Sequence, residues 1–353
     1  MTMRIALGQA ARATDDYLAF ARQLGVDGVQ LNTPDLPGHQ RWELLDLVAL
    51  RERVESFGLR LEAIENLPNE FYERAMLGDP GRDEEIEHVC ATLQNLGRAG
   101  ITLLGFNWLP NSVWRTSIEP TGRGGATISA FDLARAGDPA DVYIARRDRR
   151  VEDKKDSWSK GELFDLPGPR TDEQMWASFG YFMDAVIPVA EEAGVRLALH
   201  PDDPPVPELG GIARIFRDVE ALKRAVELAP GPGFGIELCL GTVSEMGGQS
   251  AVLDAIGYLG PRDKIAYVHL RDVQGTVPCF TECFLGEGNY DPALVVRELA
   301  ACGFDGFILD DHTPALIGDS AYGHRGRAFA LGYIKGLIDM MAHDDARRAA
   351  HGS

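Results

Sequence analysis

The chain has 353 residues, 45% of them hydrophobic and 25% charged, a balance that excludes disorder and suits one large globular domain spanning residues 1–353. With 35 Lys+Arg against 54 Asp+Glu the formal charge is −19, so phosphate backbones and anionic membranes are repelled over most of the surface and nucleic acid is a poor partner. An anionic small substrate would need a local positive centre, from a metal or from placed arginines.

The start, MTMRIALGQAARATDD, enters a strand-like run without a basic segment and long apolar stretch, so no signal peptide is expected. Apolar runs such as Ile101 to Leu104 and Ile265 to Leu270 fall far short of the roughly 20 residues that span a bilayer, and no membrane segment is expected. Five scattered cysteines, at 90, 239, 279, 283 and 302, do not suggest a disulfide framework and fit a reducing, cytoplasmic setting.

Strands are predicted at Arg4–Leu7, Gly28–Leu31, Arg60–Glu65, Thr102–Asn107, Arg196–His200, Gly235–Cys239, Ile265–Leu270 and Gly306–Asp311. Helical spacing follows each, over 14–24, 42–57, 83–99, 171–193, 218–229, 250–258, 291–302 and 326–341, and a glycine often closes the helix before the next strand. Eight β/α units predict an α/β protein with the (β/α)8 TIM-barrel fold, in a chain longer than the ~250 residues usual for it; a doubly wound open sheet is the alternative. The excess length lies after strand four, in an insertion over 108–170 with a glycine run (Gly122, Gly124, Gly125) and the charge-dense "ARRDRRVEDKKDSWSKGE". That stretch reads as a solvated loop or, because it follows a strand, as a lid over the face where such barrels place active sites. The last residues, "AHDDARRAAHGS", read as a fraying tail.

Strand five ends at His200, strand six at Cys239, strand seven at His269 and strand eight at Asp311. Each alone reads as structural. Four adjacent strand ends of ligand type instead point to a divalent metal, Zn, Fe(II) or Mn by donor hardness, since Mg and Ca prefer oxygen shells. Asp310 is the alternative to Asp311, because neighbouring strand residues face opposite ways. Cys279 and Cys283 lack a second Cys/His pair and read as structural. His312 and Tyr322 are of proton-transfer type; otherwise they read as a hydrogen-bond partner and a loop aromatic. Asn107, Trp114 and Arg115 after strand four, Arg271 beyond His269, and Glu282 are placed to meet a polar anionic ligand, with Arg271 suited to grip a carboxylate. Glu282 and Glu65 read equally well as ion-pair partners on the same rim.

These residues resemble the mannonate dehydratases of hexuronate breakdown, a family of metal-dependent, xylose-isomerase-like barrels. The likeness rests on "HPDDPP" at 200–205, Cys239 followed by Gly241, "HLRDV" at 269–273, Phe280 with Glu282, Asp311-His312, "FNWLPNSVWRTSI" at 106–118 and "RQLGVDGV" at 22–29. It implies loss of water from D-mannonate to give 2-keto-3-deoxy-D-gluconate, with Mn²⁺ or Fe²⁺ held by His200, Cys239, His269 and Asp311 and proton transfer by His312 and Tyr322. The expected partners are a small sugar acid and further copies of the chain in a homo-oligomer. Two departures stand out: Asn32 lies where the family usually carries a histidine, and Gly241-Thr242-Val243 replaces Gly-Ser-Leu. A sugar isomerase or epimerase on the same barrel is the alternative reading.

Overall fold

The computed structural model describes residues 3–145, 158–160 and 168–351. Eight parallel strands close into a barrel: β1 (Arg4–Ala10), β2 (Gly28–Asn32), β3 (Arg60–Glu65), β4 (Leu103–Phe106), β5 (Arg196–Leu199), β6 (Phe234–Cys239), β7 (Ile265–His269) and β8 (Phe307–Leu309), with β8 pairing back onto β1. The expected barrel is therefore the observed one, and the open sheet is excluded. Around it lie α1 (Asp15–Leu24), α2 (Leu44–Glu55), α3 (Arg82–Ala99), α4 (Asp172–Ala193), α5 (Val219–Leu228), α6 (Leu240–Leu259), α7 (Pro292–Ala301) and α8 (His324–His351).

Local chemistry sets the ends of these helices. Thr14, Asp218 and Asp291 cap by accepting backbone N–H bonds, and Thr171 forms a reciprocal capping box with Gln174. Gly25, Gly100 and Gly194 close α1, α3 and α4 in the left-handed region. Two helices depart from expectation. α6 starts at once after β6 and is broken by Gly247 and Gly248, so its first turns fall in a stretch whose glycines mask the period. α8 runs on to His351 where a fraying tail is predicted; the residues after Met341 include no helix breaker before Gly352.

Inside the barrel, Ala6, Ala63, Ala198 and Ala266 leave room for Tyr267 and Phe307, whose rings stack with centroids 5.0 Å apart. The main core lies between the barrel and its helices. A second, smaller core covers the mouth. The insertion supplies strands Ser117–Glu119 and Ile128–Asp132, which join the hairpin Asp272–Thr276/Cys279–Cys283 in one antiparallel sheet. Phe131 lies opposite Phe280 across this seam, with ring centroids 5.8 Å apart. Trp114–Arg115, Tyr143–Ala145 and Trp158–Lys160 form a further three-stranded sheet. The described part of the insertion is thus an ordered cap, while most of its charge-dense stretch lies outside the described residues.

Candidate metal centre and its surroundings

His200, Cys239 and His269 bring one ligand atom each within 4.8 Å of one another. Asp311 joins them, with Oδ2 3.6 Å from Cys239 Sγ and Oδ1 3.8 Å from His269 Nδ1. Asp310 points elsewhere: it pairs with Arg327 at 2.5 Å and accepts from the Gly8 amide. The strand pleat separates the two aspartates, and Asp311 is the one facing the cluster.

The chemistry of the donors fits a divalent metal. Cys239 sits at the N-terminus of α6 and accepts a hydrogen bond from Thr242 Oγ1 at 3.2 Å. Burial raises its thiol, but the Arg271 charge and the neighbouring His200 and His269 rings outweigh this and bring its pKa down to about 5. A thiolate is therefore the neutral-pH form. His200 Nδ1 donates to the Pro201 carbonyl at 2.6 Å, which leaves Nε2 as the ligand atom. His269 Nε2 lies 3.1 Å from both Glu65 and Glu237, yet neither of its ring nitrogens makes an aligned hydrogen bond among the described residues. Buried donor atoms without partners are rare unless something else binds them.

Beside the cluster lies an ion network. Arg115 donates to both oxygens of Asp203 at 2.7 and 2.9 Å and to Glu282 at 2.9 Å, with Nε on Ser129. Arg271 donates to Glu282 at 2.8 Å, Glu245 at 3.0 Å and Thr242 at 2.8 Å, and approaches Asp311 at 3.2 Å. Both guanidinium groups are thus engaged by protein groups; neither offers a free fork to a ligand carboxylate. Burial raises the carboxyl of Glu282, but His312 and Arg115 outweigh it and hold the group well below its ordinary range.

His312 Nδ1 lies 2.7 Å from Glu282 and Nε2 3.7 Å from Asp311, and its side chain is 32% exposed. Burial lowers its pKa, but Asp311 and Glu282 dominate and raise it, so the imidazolium is favoured. Trp158, carried by the insertion, meets the His312 ring edge-on at 6.2 Å and lies 5.9 Å from the Arg115 guanidinium carbon.

Of the remaining predicted residues, Asn107 is 1% exposed and donates to Asn66, and Trp114 is buried in the small core with its indole N–H on Asn111. Tyr322 stands apart: its hydroxyl donates to the Gly8 carbonyl at 2.6 Å, burial raises its pKa, and Arg327 lies 4.5 Å from its ring.

Sequence reading missed Glu237, Glu245 and Trp158, and noted Thr242 only as a departure from the resembled family. Glu237 had a visible signal, since it precedes Cys239 by two and shares its strand face. Glu245 had none before the fold was known.

A model of the D-mannonate dehydratase family matches residues 1–348. The mannonate dehydratase of Streptococcus equi subsp. zooepidemicus is 31% identical over 326 residues, covering 89% of this chain and 88% of that one. The mannonate dehydratase of Thermotoga neapolitana is 31% identical over 337 residues, covering 90% and 91%. The crystal structure of mannonate dehydratase from Streptococcus suis serotype 2 superposes with a TM-score of 0.81 at 28% identity, over 100% of this chain and 97% of that one. A structure of L-ribulose 3-epimerase shares the fold, at TM-score 0.60 and 14% identity. Likeness along nearly the whole length, with four ligand-type residues meeting at four strand ends, places this chain in the D-mannonate dehydratase family.

Proposed function

We propose that this protein removes water from D-mannonate to give 2-keto-3-deoxy-D-gluconate. The observation that carries this reading is the meeting of His200, Cys239, His269 and Asp311 beside His312, in a chain of this family. Those four residues would hold Mn²⁺ or Fe²⁺, to which a thiolate and two imidazoles are suited. When bound, the metal supplies a Lewis acid that favours negative charge developing next to the substrate carboxylate.

The chain's own residues do the rest. His312, whose charged form Asp311 and Glu282 favour, donates a proton to the C3 hydroxyl as it leaves as water. Tyr322 is the second proton-transfer group of this reading, although its hydroxyl donates to the Gly8 carbonyl and burial, outweighing Arg327, raises its pKa. Arg115 and Arg271 position Glu282, and through it His312. Trp158 and the small core above the mouth keep water from the reacting atoms, which is the lid role assigned to the insertion. The enzyme acts as a homo-oligomer in the cytoplasm, a setting consistent with five free cysteines. Among the described residues no helix is long and apolar enough to cross a membrane.

The test is incubation of purified, Mn²⁺-loaded protein with a panel of aldonic acids. Formation of a 2-keto-3-deoxy acid from D-mannonate supports the reading; no such product from any acid ends it. Interconversion of neutral sugars without a keto-deoxy product would identify an isomerase instead. His312→Asn should lower kcat by roughly 10²–10⁴-fold with metal content unchanged.

A further inference from the structure

One layer down the barrel from the metal ligands lies a pair of carboxylates that the chemistry above leaves unused. β6 and β7 run in register, so that Cys239 is opposite His269 and, two residues earlier on each strand, Glu237 is opposite Tyr267. The His269 ring spans the two layers. Its Nδ1 lies 3.8 Å from Asp311 on the side of the donor cluster, and its Nε2 lies 3.1 Å from Glu237 Oε1 and 3.1 Å from Glu65 Oε2. Nε2 is equidistant from two carboxylate oxygens and aligned on neither, the arrangement of a proton shared between two acceptors.

Each carboxylate is held from behind. Glu237 Oε2 accepts from the Tyr267 hydroxyl at 2.5 Å. Glu65 Oε1 accepts from Asn32 at 3.0 Å and Asn66 at 3.1 Å, and its Oε2 accepts from Gln30. Gly105 on β4 keeps the space open, since a Cβ there would run into the Tyr267 hydroxyl and Glu237. Among the described residues Glu237 Oε1 has no aligned donor; what faces it is the His269 ring at 3.1 Å, with His200 Nε2 farther off at 4.0 Å.

Glu65, Glu237 and His269 are all buried, and among the described residues the two carboxylates form ion pairs with histidines alone, never with a lysine or an arginine. Buried charge of this kind is poor structural material, because apolar groups of similar volume would serve the fold as well or better. Its effect falls on the imidazole. A carboxylate behind a ligating histidine keeps the second ring nitrogen protonated, leaves the first as the lone-pair donor and makes that donor more basic. The other histidine of the centre is set differently, by the neutral Pro201 carbonyl on Nδ1 of His200.

We infer that Glu237 and Glu65 are positioning residues for the metal centre: by holding Nε2–H of His269 between them, they present its Nδ1 to the ion and strengthen it as a ligand. The inference rests on the metal centre of the reading above and not on the identity of the acid. It makes His269 the stronger of the two imidazole donors, since anionic partners orient it where a neutral carbonyl orients His200.

The test uses the full chain and three variants, Glu237→Gln, Glu65→Gln and the two combined, which keep the shape of each side chain and remove its charge. Mn²⁺ affinity is measured by chelator competition without substrate, the Co²⁺-loaded proteins are compared by visible absorption, and the metal-free chains are melted. The expected result is an affinity lowered about 10–100-fold in each single variant and further in the double. The cobalt d–d bands should shift while the cysteine-to-cobalt charge-transfer band is retained, and the metal-free Tm should stay at the wild-type value or above. An affinity within about threefold of wild type in all three variants overturns the inference. So does a loss of affinity matched by a lowered metal-free Tm, which marks a structural role. Two ions bound per wild-type chain, with one lost in the variants, overturns it as well, because the carboxylates would then be ligands themselves. Wild type that binds metal but forms no keto-deoxy acid ends the dehydratase reading and does not touch the inference; wild type that binds no metal ends both.

Discussion

Cys239 shows how neighbours set the chemistry of a single side chain. A thiol ordinarily near 9 is held at about 5 because the cation of Arg271 and two neighbouring imidazoles outweigh the cost of burial. The sign follows: a pKa lowered in the folded chain stabilises the fold above the unfolded value, and that contribution is lost as pH falls through about 5. Metal-free protein should therefore show the ultraviolet thiolate band at neutral pH, fading near pH 5, and Cys239→Ser should abolish it. His200 works in the opposite sense. Burial lowers its pKa, but Glu237 and Cys239 raise it to about 10 without metal, so the ring must lose a proton to bind one. Metal affinity, read by chelator competition, should rise with pH between neutrality and about 10. An affinity that stayed flat over this range would show that the ring is already neutral. Which aspartate serves the site is also decided at this scale: the ion pair of Asp310 with Arg327 removes it from the cluster.

At the level of elements, β4 carries a constraint at Gly105. A Cβ there would collide with the Tyr267 hydroxyl and come within 2.9 Å of Glu237 Oε2, the two groups that share a 2.5 Å hydrogen bond beneath His269. Gly105→Ala should destabilise the fold by about 1–3 kcal/mol, an overpacking cost, and weaken metal binding, both visible in a thermal melt with and without metal. Removing one side of a buried ion pair is costlier still: Arg115→Met takes the two-point partner from Asp203 and one of two arginines from Glu282, leaving Arg271 alone beside both, and should cost about 3 kcal/mol in a denaturant titration. The barrel strands were legible because their apolar runs and closing glycines are local signals, and the ligands because strand ends are where the chain leaves the core. The mouth was not legible. Trp114–Arg115 and Tyr143–Ala145 are two and three residues long and owe their definition to pairing with distant partners, for which the chain carries no local mark. Arg115 and Arg271 read as substrate grips because charge and position are visible in sequence, whereas the carboxylates that occupy them, Asp203, Glu245 and Glu282, arrive from three other segments.

For the whole molecule, the donor cluster ties ligand binding to folding, because β5, β6, β7 and β8 each contribute to it. A metal that binds only the folded chain should add about 2.7 kcal/mol of stability at a hundredfold excess over its Kd, and a chelator should lower Tm accordingly. The sheet that joins the insertion to the hairpin after β7 has a different reach. Two excursions, leaving the ring at β4 and at β7, share one hydrogen-bonded seam at Phe131 and Phe280. Neither can be shortened, lengthened or exchanged with a relative's alone, since the orphaned partner would present a bare, apolar strand edge of the kind that recruits other chains. Divergence at this mouth is thereby confined to paired changes, and grafting a new mouth onto the barrel means moving both excursions as one cassette.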